Sequence, residues 1–391
     1  MLSIGLMSGT SMDGIDATLL ETDGDLNIKE IGHLSMTYDQ KFKHELHTAQ
    51  KLVRTYQGDL EKVQSLFPLD EVVQHSTYLH SEVVKQLLVK TNYKPHHIHV
   101  IGYHGQTMYH HPKEKISHIL GNGQRLADLT SIQVVTDFRK RDIQAGGQGA
   151  PFAPLYHQAL CIRDRIMPAC VVNCGGIANV TLIRNDSPID LVGFDTGPGN
   201  GLIDTFVRER TFGRENLDLN GQYGLKGKIH KDLIQKLFES SVKVNGLNFF
   251  DLKPPKSLDY GDLRLIPELQ SLTLEDACRT LEAFTSLSIV DSIKHFDTQV
   301  PLTWILAGGG WHNPVIRQAL ESSLIARLGG KVKVVTSDEI GWHNQTLEAQ
   351  IFAYFAVRSL QGKPLSVPGT TQVPYPMTGG QVFLPHTSQI G

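Results

Sequence analysis

The sequence is poor in cysteine and contains no long hydrophobic run. Its four cysteines include no C-x-x-C pair and are too few to cross-link a chain of 391 residues, so we expect reduced thiols in a cytoplasm. No segment approaches the ~20 consecutive apolar residues that a membrane-spanning helix requires. The N-terminal residues have neither the basic leader nor the apolar core of a targeting segment. These absences predict a cytoplasmic protein without a membrane partner.

An excess of positive charge and the common metal-binding motifs are also missing. The formal net charge is -3, whereas nucleic-acid binding depends on clustered Lys and Arg, so we expect no nucleic-acid partner. The 18 histidines form local clusters, but no H-E-x-x-H motif or matching Cys/His set accompanies them. The sequence therefore predicts no structural metal site of the zinc type.

The best-known nucleotide-binding motifs are absent as well. The sequence has no G-x-x-x-x-G-K-[ST] motif and no G-x-G-x-x-G that opens a helix after a strand. The protein-kinase motifs H-R-D and D-F-G are missing too. P-loop, Rossmann-type and protein-kinase nucleotide sites are thereby excluded.

Two glycine-rich hairpins are present instead, one in each half of the chain. The first covers residues 2–22 with its turn at 8–14, and the second covers 169–183 with its turn at 174–178. Consecutive backbone N–H groups cradle phosphate where glycine and small hydroxyl residues allow a close approach. Two such hairpins that face each other across a cleft would hold a polyphosphate, and the length of the chain suggests two domains. A surface turn is the alternative for the first hairpin taken alone.

Polar or glycine-rich groups follow several predicted strands, where open α/β sheets bind their ligands. The groups are His104 after 99–103, Asp137 after 133–136, Asp195 after 191–194, and Gly308-Gly309-Gly310 after 302–307. The three glycines would let a nucleoside lie against the backbone, and close packing of a strand on a helix is the alternative. A helix at 347–360 carries Glu348 in its first turn, where the helix dipole favours an acidic residue.

A sugar kinase needs a carboxylate held near the γ-phosphate by a rigid strand end. Asp195 is the best-placed candidate base, although it could instead cap the helix that begins near Leu202. Asp137 is the alternative base. Arg139 and Arg141 suggest a binding role at that position, because guanidinium groups hold carboxylates in bidentate geometry, and surface ion pairs are the alternative.

With these residues in view, the chain resembles the anhydro-N-acetylmuramic acid kinase family, which is part of the superfamily of sugar kinases, heat-shock ATPases and actin. The resemblance covers essentially the whole chain. The motifs that carry it are GLMSGTSMDGID at 5–16, HGQT at 104–107, DFR at 137–139, AGGQGAP at 145–151, and the segments 173–181, 193–200 and 308–313. The segment 332–350 and the tail after 367 follow the family pattern only loosely.

The resemblance implies an α/β protein of the two-lobed, actin-like (ribonuclease H-like) fold with a cleft between the lobes. We predict an N-terminal lobe at 1–136, to which 367–391 returns, and a C-terminal lobe at 137–366. The implied reaction uses ATP and Mg²⁺ to open the 1,6-anhydro bond of 1,6-anhydro-N-acetylmuramic acid with water and to phosphorylate O6, in peptidoglycan recycling. A homodimer is expected at the level of the family.

The residue patterns and the resemblance together assign roles to single residues. Asp195 is expected to activate the water that attacks the anomeric carbon, and Asp13, or else Asp16, to hold the magnesium ion. The expected ATP-binding residues are Gly9, Thr10, Ser11, Met12, Asp13, Gly14, Ile15, Asp16, Gly175, Gly176, Asn179, Gly308, Gly309 and Gly310. The expected substrate-binding residues are His104, Gln106, Thr107, Asp137, Arg139, Gly197, Asn200 and Glu348.

Two other functions stay open. Another sugar kinase of the same fold would keep both hairpins but lack the anhydro-sugar pocket, and the segments 104–107 and 146–151 argue against it. A non-enzymatic, ATP-driven binding protein of the heat-shock or actin type would need a peptide-binding domain or a polymer-contact insertion, and neither is evident at this length.

Overall fold

The computed structural model describes residues 1–9, 12–296 and 300–386. The strands, in chain order, are β1 (Leu2–Ser8), β2 (Gly14–Thr22), β3 (Ile28–Thr37), β4 (Val100–His111), β5 (Ile116–Leu120), β6 (Val134–Thr136), β7 (Ala169–Cys174), β8 (Ile177–Ile183), β9 (Val192–Pro198), β10 (Lys243–Val244), β11 (Leu247–Asn248), β12 (Thr303–Ala307), β13 (Lys333–Thr336) and β14 (Gln381–Phe383).

Some of the helices begin at residues whose side chains accept hydrogen bonds from the backbone of the first turn. Asp39, Thr273 and Asn313 cap three of them in this way. In chain order the helices are α1 (Gln40–Thr55), α2 (Leu60–Leu66), α3 (Leu69–Thr91), α4 (Gly123–Thr130), α5 (Lys140–Gln144), α6 (Ala153–Arg163), α7 (Gly201–Arg210), α8 (Lys231–Ser240), α9 (Leu274–Asp291), α10 (Pro314–Leu328), α11 (Leu347–Leu360) and α12 (Pro368–Thr371). Among the described residues, none of these helices is both long enough and apolar enough to span a bilayer.

The chain forms two compact units, and their sheets repeat one plan. The first unit is Met1–Asp164 together with the chain from Gln345 onward, and the second is Arg165–Asn344. The first sheet has the order β14-β6-β4-β1-β2-β3, with β5 paired to β4, and the second has the order β13-β12-β7-β8-β9. In each sheet an antiparallel meander of three strands is extended by two parallel strands, β4 and β6 or β12 and β13. The predicted α/β class and the predicted repetition of the hairpin are confirmed.

The boundaries between the two units differ from those predicted from the sequence. The structure puts the changes after Asp164 and before Gln345, whereas the predicted lobe boundaries are 136/137 and 366/367. The difference arises because α6 and α11 pack within the first unit, α11 against β1, β2 and β4. Neither helix pattern by itself tells which sheet its apolar face will cover.

Each unit has its own hydrophobic core. In the first, side chains such as Ile4, Phe42 and Tyr103 are buried. In the second, Phe206, Phe284 and Trp304 lie at the centre.

A close approach of helix α11 to the first sheet depends on two glycines. Gly5 of β1 and Gly102 of β4 are register partners in the parallel pair. A Cβ atom on Gly5 would lie 1.9 Å from the carbonyl oxygen of Ala349, and one on Gly102 would lie 2.0 Å from that of Phe352. The helix backbone therefore rests directly on the strands, a contact that only glycine permits here.

Candidate active site

The described residues on the two sides of the first turn, between β1 and β2, are joined by a hydrogen bond. The N–H of Met12 donates to the carbonyl of Gly9 at 3.0 Å, and Met12 has a φ of 56°. The side chains of Met12 and Ile15 are buried, so of these two residues only the backbone can meet a ligand. Asp13 is different, because its side chain is 70 % exposed and one carboxylate oxygen lies 3.4 Å from Lys43 Nζ. The predicted phosphate ligands Thr10 and Ser11 lie outside the described residues.

Beneath this hairpin lies a buried polar group that the sequence did not reveal. The hydroxyl of Ser8 lies 2.6 Å from His80 Nε2, and His80 Nδ1 lies 2.7 Å from the carbonyl of Ser76. Burial lowers the pKa of His80 to about 4, so its neutral ring donates to Ser76 and accepts from Ser8. The Ser8 hydroxyl is therefore engaged by His80 below the loop.

His104, Gln106 and Thr107 lie within β4, not beyond its end as the sequence predicted, because β4 continues to His111 alongside β5. The amide nitrogen of Gln106 donates to the carbonyl of Gly9 at 2.9 Å, which ties β4 to the first hairpin. The half-buried Thr107 accepts a hydrogen bond at its carbonyl from Gln50 Nε2, at 3.1 Å. Gln106 therefore supports the predicted phosphate loop directly.

Arg139 and His104 form one polar cluster. Arg139 donates to His104 Nε2 at 3.2 Å and to the carbonyl of Gly149 at 2.5 Å, and it lies over the Phe152 ring. Burial, reinforced by this guanidinium, lowers the pKa of His104 to about 3, so the ring is neutral and its Nδ1 donates to the Gly105 carbonyl. Two N–H donors of Arg139 are thus already engaged by other groups of the protein. Its predicted contact with substrate stays a prediction.

The residue Asp142, which sequence reasoning did not select, fastens the neighbouring loop. Its carboxylate accepts hydrogen bonds from the N–H of Gly149 at 2.7 Å, from the hydroxyl of Thr371 at 2.6 Å and from the hydroxyl of Ser366. Burial raises the pKa of this carboxyl, and the three donors oppose the rise. A buried carboxylate held by hydroxyls from so distant a part of the chain leaves no local sequence signal.

Asp137 follows β6 directly and has a φ of 56°, a left-handed conformation that Asp and Asn tolerate better than most residues. With Tyr103, His104 and Thr136 it lines a cavity of about 180 Å³ within the first unit. This placement, at the carboxyl end of a strand, favours a binding role.

For the reaction that the resemblance implies, we expect Asp137→Asn to raise the KM for the sugar about tenfold while kcat changes little, because asparagine keeps the backbone conformation but removes the negative charge. Steady-state kinetics at saturating ATP would measure both constants. A fall in kcat of a hundredfold or more at unchanged KM would instead make Asp137 the catalytic base.

Asp16 and Glu348 are electrostatically coupled within the first unit. Burial raises the pKa of Asp16, and the hydroxyl of Ser35, which donates to it at 2.5 Å, opposes the rise. The Glu348 side chain reaches solvent, yet the protein atoms around it raise the pKa of its carboxyl, and Asp16 adds to that rise. The two carboxylates repel each other, and a bound cation would relieve this repulsion.

In the second unit, Asp195 lies inside β9 rather than beyond its end, opposite Asn179 of β8. Only 9 % of Asp195 is exposed. Its N–H donates to the carbonyl of Lys256 at 2.9 Å, and its Oδ2 accepts from the N–H of Leu258 at 2.7 Å. Burial raises the pKa of Asp195 to about 7, although Leu258 and the nearby Lys256 ammonium both oppose the rise. The carboxyl is therefore poised to take up a proton near neutral pH.

The other predicted elements of the second unit meet around the buried Cys174. The carbonyl of Gly176 accepts hydrogen bonds from the N–H groups of Gly199 and Gly201, at 2.9 Å and 3.1 Å, and the carbonyl of Gly175 accepts one from Asn200 at 2.8 Å. The structure thereby joins the second hairpin to the start of α7.

The glycines near this hairpin are needed for close contacts. Gly308 has a φ of 95°, and a Cβ atom there would lie 2.6 Å from the carbonyl oxygen of Cys174. Gly197 has a φ of 148°, and its Cβ would lie 2.9 Å from Ser288 Oγ. Gly309, in contrast, has open space beside it. The glycine turn 308–310 therefore both packs on the second hairpin and leaves free backbone surface.

Comparison with known proteins gives one consistent family. A family model described as "Anhydro-N-acetylmuramic acid kinase" matches residues 1–385. The protein of that name from Zymomonas mobilis is 39% identical over 386 residues, with 98% of this chain and 99% of that protein covered. Those from Rhizorhabdus wittichii and Methylorubrum populi are 36% and 38% identical, and in both cases 98% of this chain and 99% of the relative are covered.

Proposed function

We infer that this protein, which belongs to the anhydro-N-acetylmuramic acid kinase family, transfers the γ-phosphoryl group of ATP to O6 of 1,6-anhydro-N-acetylmuramic acid and opens the anhydro bond with water. The products are N-acetylmuramic acid 6-phosphate and ADP. The observation that carries the inference is Asp195, a buried carboxylate on a rigid strand whose pKa of about 7 suits a general base at neutral pH.

The chemistry of the substrate requires an activated water. O6 of an anhydro sugar is bonded to C1 and carries no proton, so a base has nothing to remove there. Asp195 instead takes a proton from water while the oxygen of that water bonds to C1. The C1–O6 bond breaks, O6 bonds to the γ-phosphorus, and the bond to the β-phosphate oxygen breaks to release ADP. The proton on Asp195 then passes to solvent, which balances the reaction.

The N–H of Leu258 contributes to the action of Asp195. By donating to Oδ2 at 2.7 Å, it fixes the orientation of the carboxylate and stabilises its ionised form. A base held in one orientation loses little entropy when it meets the water.

The predicted ATP-binding segments are retained in the proposal. In the first unit these are Gly9 to Asp16, and in the second Gly175, Gly176, Asn179 and the glycine turn 308–310. Gly309, with open space beside it, supports a close approach of the nucleotide to the backbone. Exposed Asp13, or else the coupled carboxyl of Asp16, would hold Mg²⁺, which neutralises phosphate charge when bound. A cytoplasmic location and a homodimer, which the family suggests, complete the proposal.

The decisive experiment incubates the purified protein with 1,6-anhydro-N-acetylmuramic acid, ATP and Mg²⁺ in oxygen-18 water. We expect a product with one heavy oxygen at C1 and a phosphate at O6, both read by fragmentation mass spectrometry. A matched incubation with a non-hydrolysable ATP analogue controls for hydrolysis without transfer. If the protein phosphorylated an ordinary hexose and left the anhydro sugar untouched, the alternative of a different sugar kinase on this fold would replace the proposal.

A further inference from the structure

Lys256 is a buried lysine next to the proposed base, and sequence reasoning gave it no role. Only 7 % of the residue is exposed. A cation is costly to bury unless it is paired or hydrogen-bonded, and lysine is almost never fully buried without a partner. The surroundings of its ammonium group therefore need an explanation.

The groups that contact the ammonium directly are neutral. Lys256 Nζ donates to the carbonyl of Phe249 at 3.1 Å and lies 4.2 Å from the centre of the Phe249 ring. It is also 3.5 Å from His295 Nε2. Burial, together with Lys256 itself, lowers the pKa of His295 to about 4, so this ring is neutral at the pH of catalysis. A carbonyl dipole and an aromatic face hold the ammonium in place, and its charge acts on the carboxylates of Asp291, Asp195 and Asp251.

The backbone of the same short segment orients Asp195. The carbonyl of Lys256 accepts from the N–H of Asp195, and the N–H of Leu258 donates to its carboxylate. Residues 256–258 thus hold both the main chain and the side chain of the base, and the ammonium that anchors this segment is the cation that acts on Asp195.

We propose that Lys256 is a positioning residue for the reaction: its ammonium group, anchored on Phe249, keeps the buried Asp195 carboxyl ionised and fixes the 256–258 segment that orients it. The proposal rests on the proposed function of Asp195 as the base. Lys256 acts through Asp195 and not by touching the sugar.

Several charged groups of the described residues act on the pair. Asp262 opposes Lys256 in its effect on Asp195, since its carboxylate raises the pKa of Asp195. Burial lowers the pKa of Lys256 to about 8, with Lys294 adding to the fall while Asp291, Asp195 and Asp251 oppose it. Between about pH 7 and pH 8, therefore, Asp195 is ionised while Lys256 still carries its charge.

The test is the pH dependence of kcat/KM in Lys256→Met. Methionine keeps the apolar stem against Phe249 but removes the charge, so the pKa of Asp195 should rise. We expect the acid limb, near pH 7 in the parent enzyme, to move up by about one pH unit. At pH 9 the rate should return to within a few-fold of the parent, because Asp195 is then ionised in both proteins. A structural role alone would lower the rate equally at every pH, and that result would overturn the proposal.

Two further variants and one measurement sharpen the test. Lys294→Met removes an exposed ammonium that pairs with Asp291 at 2.7 Å, so its acid limb should stay with that of the parent. Lys256→Arg, which restores the charge, should restore the limb. Should Lys256→Met not fold, Lys256→Gln takes its place, because glutamine can still donate to the Phe249 carbonyl.

The pKa of Asp195 can also be followed without turnover, by carboxyl ¹³C NMR with Asp195→Asn to assign the signal. An upward shift in the neutral variant supports the proposal, and an unchanged pKa refutes it. This measurement separates the two failures. An inactive parent whose Asp195 nevertheless responds to Lys256 would contradict the proposed function alone.

Discussion

Asp195→Asn is expected to lower kcat on the order of 10³- to 10⁴-fold while the enzyme still binds ATP and the anhydro sugar. Asparagine has the shape of aspartate, and its side-chain oxygen can accept the hydrogen bond that Leu258 donates to Oδ2 in the parent. What it lacks is the ability to take a proton from water. Steady-state kinetics would give kcat, and isothermal titration calorimetry would give the two affinities.

The same variant makes a prediction about stability. Asp195 has a pKa of about 7 in the folded protein and ~4 in the unfolded chain. The folded protein therefore loses stability as the pH rises from 4 to 7, because its native state resists the ionisation of this acid. Removal of the acid should therefore raise the melting temperature at pH 8 and leave it nearly unchanged at pH 4. Asp186→Asn, at an exposed position, is the matched control and should alter neither rate nor stability. Turnover that survives in Asp195→Asn would rule out Asp195 as the base.

Gly102→Val is expected to have the largest effect on folding, with a loss of roughly 3 to 5 kcal/mol in the free energy of unfolding. The new Cβ would lie 2.0 Å from the carbonyl oxygen of Phe352 and 2.6 Å from its carbonyl carbon. These are backbone atoms of α11, so no side-chain rotation can relieve the overlap. The helix must move off β1 and β4, which uncovers apolar surface of both. Urea denaturation followed by circular dichroism would measure the loss.

A matched substitution shows that valine itself is not the cause. At Gly330 a Cβ atom would have nothing within 4 Å, so Gly330→Val should change the free energy of unfolding by about 0.5 kcal/mol or less. If Gly102→Val were as stable as this control, the direct contact of the helix backbone with the strands would be disproved.

Much of the site follows from local patterns. The glycine-rich hairpins were predicted because glycine and short polar residues between two β-forming runs allow few other structures, and β1–β2 and β7–β8 are confirmed. Asp195 was selected from the apolar run before it. Lys256 could not be selected, since it follows Pro254 and Pro255 in a segment without periodicity. Its proposed role depends on Phe249 and Asp195, which only the fold brings close to it. His80 lies within a helix where no sequence motif indicates a role for it, and only the fold brings it under Ser8.

The sequence by itself determined the α/β class, the repeated hairpin and the family, because these depend on residues close together in the chain and on motifs that extend along most of its length. Only the tertiary structure decided where the compact units divide, which buried groups pair, and how the pKa of Asp195 is set. Those properties depend on burial and on charges brought together by packing. The pattern of α11 predicts a helix at 347–360, but Gly5 and Gly102, far away in the chain, determine how closely it lies on the sheet.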